Sequence, residues 1–410
     1  MSPFDDFSRM SLDASKDTDG LGFAGRLLLR LLRNVRHGRL RIELPSGALI
    51  EKIGSESGPE AMIVIRRWRM LRRVLVAGDI GFAEAYLDED WTTPDLTAVI
   101  RFAARNTEAL APTVTGSPLM RFINRAKHLL NANTKHGSRR NIEAHYDLGN
   151  DFYKEWLDPS MLYSSGIFDR SGQTLEASQQ KKLERILETL DLDDRKNVLE
   201  IGCGWGALAI FLADRAKARV TGVTLSPSQL AWAKDAVDKA GQSHQVDLRL
   251  QDYRDLTGQF DRIVSIEMFE AVGEAYWPNY FATLKRCLKP GGRVVLQIIS
   301  IEESRFDSYR RDTDFIQKYI FPGGFLPSDS ALEAAVSKAG FVLRDKELFG
   351  KSYARTLAEW RARFHARWPA IAALGFDERF RRLWHYYLCY CEAGFDEGSI
   401  DVGLYTIEHA

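Results

Sequence analysis

Cysteine is scarce in this sequence: four in 410 residues, Cys203, Cys287, Cys389 and Cys391. So few thiols in so long a chain do not make the disulfide framework of a small secreted domain. No second pair stands at zinc-site spacing, and Cys389 and Cys391 would point to different faces of a helix, so no metal site is predicted. No apolar run is long enough to cross a bilayer. The start, "MSPFDDFSRMSLDASKD", has neither the basic residues nor the apolar core of a secretory leader. Net charge is absent as well, with 56 Lys and Arg against 56 Asp and Glu. These absences predict reduced thiols and a cytoplasmic protein, soluble or peripheral to a membrane.

The balanced charge is unevenly distributed. The first third carries Arg26, Arg30, Arg33, Arg36, Arg39, Arg41, Arg66, Arg67, Arg69, Arg72 and Arg73, with few acids among them. Such a bias suits a negatively charged partner surface, or a solvated face balanced by acids elsewhere in the fold. No nucleic-acid-binding motif accompanies "RWRMLRRV", so nucleic acid is not a predicted partner.

Patterning divides the chain. Residues 1–20 are polar and read as a flexible tail. From 21 to 115 a small α+β domain is expected. In it Leu27, Leu28, Leu31, Leu32 and Val35 recur at helical spacing opposite Arg30, Arg33 and Arg36, and strands follow at "RLRIELP" and "AMIVIRR". A cationic amphipathic helix of this kind can lie in a lipid interface, although such a stripe more often packs on its own domain. A linker is expected over 116–140. From 141 to 410 short Val/Ile/Leu-rich runs alternate with helical stretches, which predicts an α/β domain with a mainly parallel, doubly wound, Rossmann-like sheet. Its aromatic C-terminal stretches read as a helical cap.

The chemistry begins at "VLEIGCGWGALAIFLA". Gly202, Gly204 and Gly206 follow a strand and open a helix, where doubly wound folds bind nucleotides, and Glu200 stands ready for a cationic ligand group. The spacing is neither that of dinucleotide binders nor that of a phosphate loop. It resembles the motif of class I S-adenosylmethionine-dependent methyltransferases, which implies that cofactor here. By the same resemblance, Thr224 and Gln229 in "GVTLSPSQ" stand where many such enzymes place an acid for the ribose hydroxyls, and Gln251 and Asp252 in "LQDY" where the adenine amino group would lie.

The segments "EAHYDLGNDFYKEWLDPSMLYSSGIFD", "FDRIVSIEMFEAVG" and "DFIQKYIFPGGFLPS" closely resemble the cyclopropane-fatty-acyl-phospholipid synthase family, which includes the mycolic acid cyclopropane synthases. The resemblance implies an enzyme that adds a methylene, taken from S-adenosylmethionine, across a cis double bond of a phospholipid acyl chain. It implies a membrane-docking N-terminal domain and peripheral contact with the inner membrane face, and it leaves homodimer formation open. Tyr163 and Ser164 match cofactor-side positions, and His145 matches a loop over the cofactor. A carbocation intermediate would call for aromatic faces, with Tyr163, Phe168, Phe269, Tyr319, Phe321 and Tyr353 as candidates and Tyr163 and Tyr353 preferred.

In the family a bound bicarbonate is thought to act as base, held by Cys, Glu, His, an Ile backbone and Tyr. The matching positions here are Ser165, Glu270, Gln297, Ile299 and Tyr353, so Cys is replaced by Ser165 and His by Gln297. The altered base site leaves two products open, ring closure first and a methyl-branched, still unsaturated chain second.

Overall fold

The computed structural model describes residues 11–13, 22–114, 133, 137, 148–192 and 196–410. The chain divides into two compact units, Met1–Asn124 with Asp377–Glu397, and Arg125–Phe376 with Gly398–Ala410. The expected linker lies largely outside the described residues, as does all but 11–13 of the expected tail.

The first unit holds a five-stranded sheet, ordered β1-β3-β2-β4-β5, from β1 (Ser11–Asp13), β2 (His37–Glu43), β3 (Leu49–Ile53), β4 (Glu56–Ile65) and β5 (Trp91–Thr92). Alternation in β2 buries Gly38, Leu40 and Ile42. Much of the basic charge is matched by acids of the same unit. The fully buried Asp90 accepts hydrogen bonds from Arg69 at 2.8–3.1 Å, with Arg67 and Arg73 close by. Arg41 and Arg39 face Glu51. By contrast, Arg26, Arg30, Arg33 and Arg72 are exposed. Leu28, Leu32 and Val35 of the amphipathic stretch pack inward, while Phe23 at the start of its helix is 78% exposed.

The helix Glu378–Asp396, expected in a cap on the α/β domain, packs instead within this first unit. Arg382 donates to the Leu87 carbonyl, Arg379 faces Asp88, and Arg101 and Arg105 clasp Glu397. Its aromatic face thus has a partner far away in sequence, which helical periodicity does not reveal.

The second unit is built on a seven-stranded sheet ordered β11-β12-β10-β9-β6-β7-β8. The strands expected from the sequence form β6 (Asn197–Ile201), β7 (Arg219–Thr224), β8 (Val246–Leu250), β9 (Phe260–Ile266) and β10 (Leu288–Ile301), all parallel. Two strands were not expected in the mainly helical C-terminal part: β11 (Phe341–Leu348) and β12 (Ile400–His409). β12 pairs antiparallel with both β10 and β11. The charges in "FVLRDKEL" hide an edge strand, one of the ways an edge is kept from pairing further.

Both sheet faces are covered. Leu199, Ile263 and Val294 join one core cluster, and their neighbours Val198, Val264 and Val295 join the other, as strand alternation requires. The helices Trp277–Cys287 and Asp329–Lys338 cover the first cluster, and Leu175–Leu190, Ala207–Ala216 and Pro227–Lys239 the second.

One glycine measures how tightly this core is closed. A Cβ on Gly222 in β7 would come within 2.6 Å of the Leu248 Cδ2 and 3.0 Å of the Cys203 Cβ. Gly222→Val is expected to lower the unfolding free energy by about 1–3 kcal/mol through overpacking, measured by urea denaturation with tryptophan fluorescence.

Candidate active site

The strand order reverses between β6 and β9, and the loops after these strands lie at the switch point where doubly wound sheets bind ligands. The loop after β6 is the glycine turn. Gly202, Gly204 and Gly206 have φ of +86°, +51° and +89°, in the left-handed region that suits glycine. A Cβ at Gly202 would come 3.0 Å from the Met268 Cγ, and one at Gly206 would come 3.1 Å from the Ala233 Cβ. At Gly204 such an atom would meet nothing within 4 Å. The outer glycines therefore serve close packing, and the middle one leaves the backbone open to a ligand.

Glu200 is buried at the end of β6. Its carboxyl accepts a backbone hydrogen bond from Ala209, while Oε2 has no partner among the described residues. Burial pushes its pKa up to about 8. Such a group is stabilised by a ligand that brings it a donor or a positive charge.

The other expected cofactor residues lie at the carboxyl ends of β7 and β8. The Thr224 hydroxyl donates to Gln229 Oε1 at 3.1 Å and accepts from the Ser226 N–H, and Ser226 caps the helix Pro227–Lys239. Gln251 donates its backbone N–H to the Thr224 carbonyl and its side-chain amide to the Asp255 carbonyl. Asp252 holds Arg254 through both oxygens, at 2.8 and 2.6 Å. Hydrogen bonds within the chain therefore hold these side chains in place at the sheet edge. His145 lies outside the described residues.

The loop after β9 supplies the second half of the site. Glu270 Oε1 accepts the Ile299 N–H at 2.7 Å, and Oε2 has no partner among the described residues. Burial, and then the neighbouring Glu267 charge, push Glu270 up to about 8.

Glu267, not singled out from the sequence, is the centre of the cluster. Its Oε1 accepts from the Ser165 N–H at 2.9 Å and from Gln297 Nε2 at 2.7 Å, and its Oε2 accepts the Tyr353 hydroxyl at 2.6 Å. Burial raises its pKa, opposed by Tyr353, Ser165, Lys182 and Gln297. Lys182, also unforeseen, is fully buried on the helix Leu175–Leu190, where burial lowers it to about 8. It donates to the Ser164 hydroxyl at 2.6 Å. The pattern that could have revealed Glu267 is the first acid of "EMFE", three residues before Glu270.

Four of the five residues matched to the anion set act as donors to these two carboxyls, whose other member is Glu270 itself. Ser165 does so through its backbone N–H, because its hydroxyl donates to the Gly166 carbonyl at 2.8 Å. Among the aromatic candidates, Tyr163 and Tyr353 both pack on Trp360, at 5.4 and 6.0 Å between ring centres. Phe269 belongs to the core, stacked on Trp277, and Phe168 lies under the Arg355 guanidinium. Tyr319 packs on Phe315, and Phe321 donates its N–H to the Ile316 carbonyl.

The family model for mycolic acid cyclopropane synthetase matches residues 133–404. The chain belongs to this family. It is 37% identical over 396 residues to the tuberculostearic acid methyltransferase UfaA1 of Mycobacterium tuberculosis, covering 92% of this chain and 89% of that one. It is 38% identical over 365 residues to the cyclopropane-fatty-acyl-phospholipid synthase of Escherichia coli K12, covering 89% and 91%. The crystal structure of mycolic acid cyclopropane synthase CmaA1 complexed with SAH and CTAB superposes with a TM-score of 0.61 at 31% identity, over 66% of this chain and 97% of that one.

As a member, the chain is an S-adenosylmethionine-dependent methyltransferase. The cofactor supplies an electrophilic methyl group, and the open backbone at Gly204 and the unpartnered Glu200 oxygen fit it.

Two outcomes follow at Glu200. A carboxyl whose folded pKa is raised favours folding while protonated. That contribution is complete below its unfolded value and is lost as pH rises through about 8. Glu200→Gln is therefore expected to raise the melting temperature of the ligand-free protein at about pH 9, with the gain shrinking toward about pH 5. The same variant should weaken S-adenosylmethionine binding roughly 10- to 100-fold in calorimetry, through loss of a charged hydrogen-bond partner.

Proposed function

We propose that the chain transfers a methyl group from S-adenosylmethionine to the cis double bond of an unsaturated phospholipid acyl chain, with closure to a cyclopropane as the first reading. The observation that carries this is the buried pair Glu267 and Glu270 directly after β9, adjoining the glycine turn through Met268. An alkene is a poor nucleophile, so it must be held in a dry site in line with the methyl donor. The cation it becomes is stabilised by aromatic faces without being captured, and Tyr163, Tyr353 and Trp360 supply such faces. A carboxylate in the same site can then remove a proton. The names of the relatives support a lipid acyl substrate.

The second reading is methylation without ring closure, giving a branched unsaturated chain. It is favoured by Gln297 and Ser165 standing where the family pattern has His and Cys, since loss of a titratable imidazole changes how the proton leaves. A membrane surface is the expected location of the substrate. Exposed Phe23 with Arg26 and Arg30 on the helix Phe23–Leu31 suits an interface with anionic lipid.

Incubating vesicles of cis-monounsaturated phospholipid with enzyme and S-adenosylmethionine, then applying mass spectrometry and ozonolysis, tests the reaction. The expected product gains one CH2 and resists ozonolysis. The same gain with a cleavable double bond would establish the branching reading, and no gain would remove the lipid assignment. Phe23→Asp combined with Arg26→Glu is expected to reduce co-sedimentation with anionic vesicles by roughly tenfold or more while leaving S-adenosylmethionine affinity unchanged.

A further inference from the structure

Glu267 occupies a backbone position that disfavours it. Its φ is +48°, where a residue with a side chain is uncommon and glycine is at ease. Its N–H nonetheless donates to the Gln297 carbonyl at 2.8 Å, fixing the loop at the end of β9 beside β10. Strain of this kind persists where surrounding contacts over-determine it, and such positions cluster at functional sites. Besides that backbone bond, the carboxylate is held by three donors: Tyr353 O–H, Gln297 Nε2–H and Ser165 N–H.

These three donors belong to residues matched to the family's bicarbonate set. The remaining two of that set, Glu270 and Ile299, are paired with each other. Four of the five positions thus give their donor to one of two carboxyls of the chain itself, and the fifth is one of those carboxyls, Glu270, whose Oε2 has no partner among the described residues. Bicarbonate does not fit this arrangement. Its oxygens would need the donors that Glu267 holds, and a third acidic group would enter a buried site whose compensating cation is Lys182.

We propose that Glu267 is the proton acceptor of the transfer reaction, a built-in carboxylate standing where relatives of this pattern would hold bicarbonate, so that the enzyme needs no external base. The proposal rests on the methyl-transfer reading above. In the reaction the alkene π pair forms the bond to the incoming methyl, whose former bonding pair leaves with the thioether. A cation remains on the chain. Glu267 takes a proton from a carbon next to that cation or from the new methyl, and the released C–H pair closes the ring or forms a new π bond. The proton ends on the Glu267 carboxyl and passes to solvent. The environments keep the two acids apart in function. Glu270, pushed up to about 8, is the protonated partner near neutrality, whereas three donors and Lys182 favour the charged form of Glu267.

Glu267→Gln and Glu267→Gly, made in the full chain, test this. The glycine variant relieves the positive φ, which offsets part of the cost of leaving three donors without their acceptor, and circular dichroism checks that both variants are folded. In buffer stripped of carbon dioxide, the parent should turn over lipid at an unchanged rate. Both variants should fall roughly 100-fold or more, with S-adenosylmethionine affinity within about twofold of the parent. Added bicarbonate or formate should restore Glu267→Gly by roughly tenfold or more, because the vacated donors accept a small carboxylate, and should not restore Glu267→Gln. Binding of 13C-bicarbonate, followed by NMR, should appear in Glu267→Gly and not in the parent.

A parent rate that falls without carbon dioxide and returns with bicarbonate would overturn the proposal. So would saturable bicarbonate binding to the parent, or Glu267→Gln working at the parental rate. If no lipid is methylated by the parent, the functional reading fails, and the binding experiment alone decides whether Glu267 occupies the anion position.

Discussion

Hydrogen bonds converging on one carboxylate tie the candidate site together. Glu267 follows β9, Gln297 lies on β10, Ser165 lies on the loop before the helix Leu175–Leu190, and Tyr353 lies on the helix Gly350–Ala366. A buried carboxylate without these donors would be costly. With them it fixes the relative placement of segments nearly 190 residues apart, from Ser165 to Tyr353. Lys182 adds positive charge from beneath the Ser164 hydroxyl. The same low-polarity surroundings that make the arrangement costly to disturb also shift the ionisation of both acids.

The glycine turn and this cluster are joined by sheet topology. β6 and β9 are neighbours although β7 and β8 lie between them in sequence, so the loops that follow them open at the same edge. Met268 touches the space above Gly202, so one of the two residues between the acids also packs on the glycine turn. Aromatic rings of Tyr163, Tyr353, Trp156 and Trp360 form a contiguous group in the same unit. An open glycine turn, an aromatic wall and a buried, hydrogen-bonded carboxylate thus come from different strands and helices held by one sheet.

In the first unit, the arginines have two different fates. Arg39, Arg41, Arg67, Arg69 and Arg73 lie against acids of that unit, chiefly Glu51 and Asp90. Arg26, Arg30 and Arg33 remain exposed near Phe23. Net charge in a stretch of sequence therefore overstates the charge available to a partner, because buried acids from later segments remove part of it.

The five parallel strands, the glycine turn and the position of Glu200 were legible in the sequence, because strand alternation, apolar runs and glycine spacing are local signals. Glu270, Ile299, Gln297, Ser165 and Tyr353 were legible by family resemblance. Glu267 and Lys182 were not, since a charged residue in a loop or helix reads as solvent-facing until its burial is known. Nor were β11, the return of β12 to β10, or the attachment of the helix Glu378–Asp396 to the first unit. The sequence by itself determined the five parallel strands, the glycine turn and Glu200. Tertiary structure decided which carboxylate receives the donors, because that depends on burial and on contacts between segments distant in the chain, neither of which a local pattern contains.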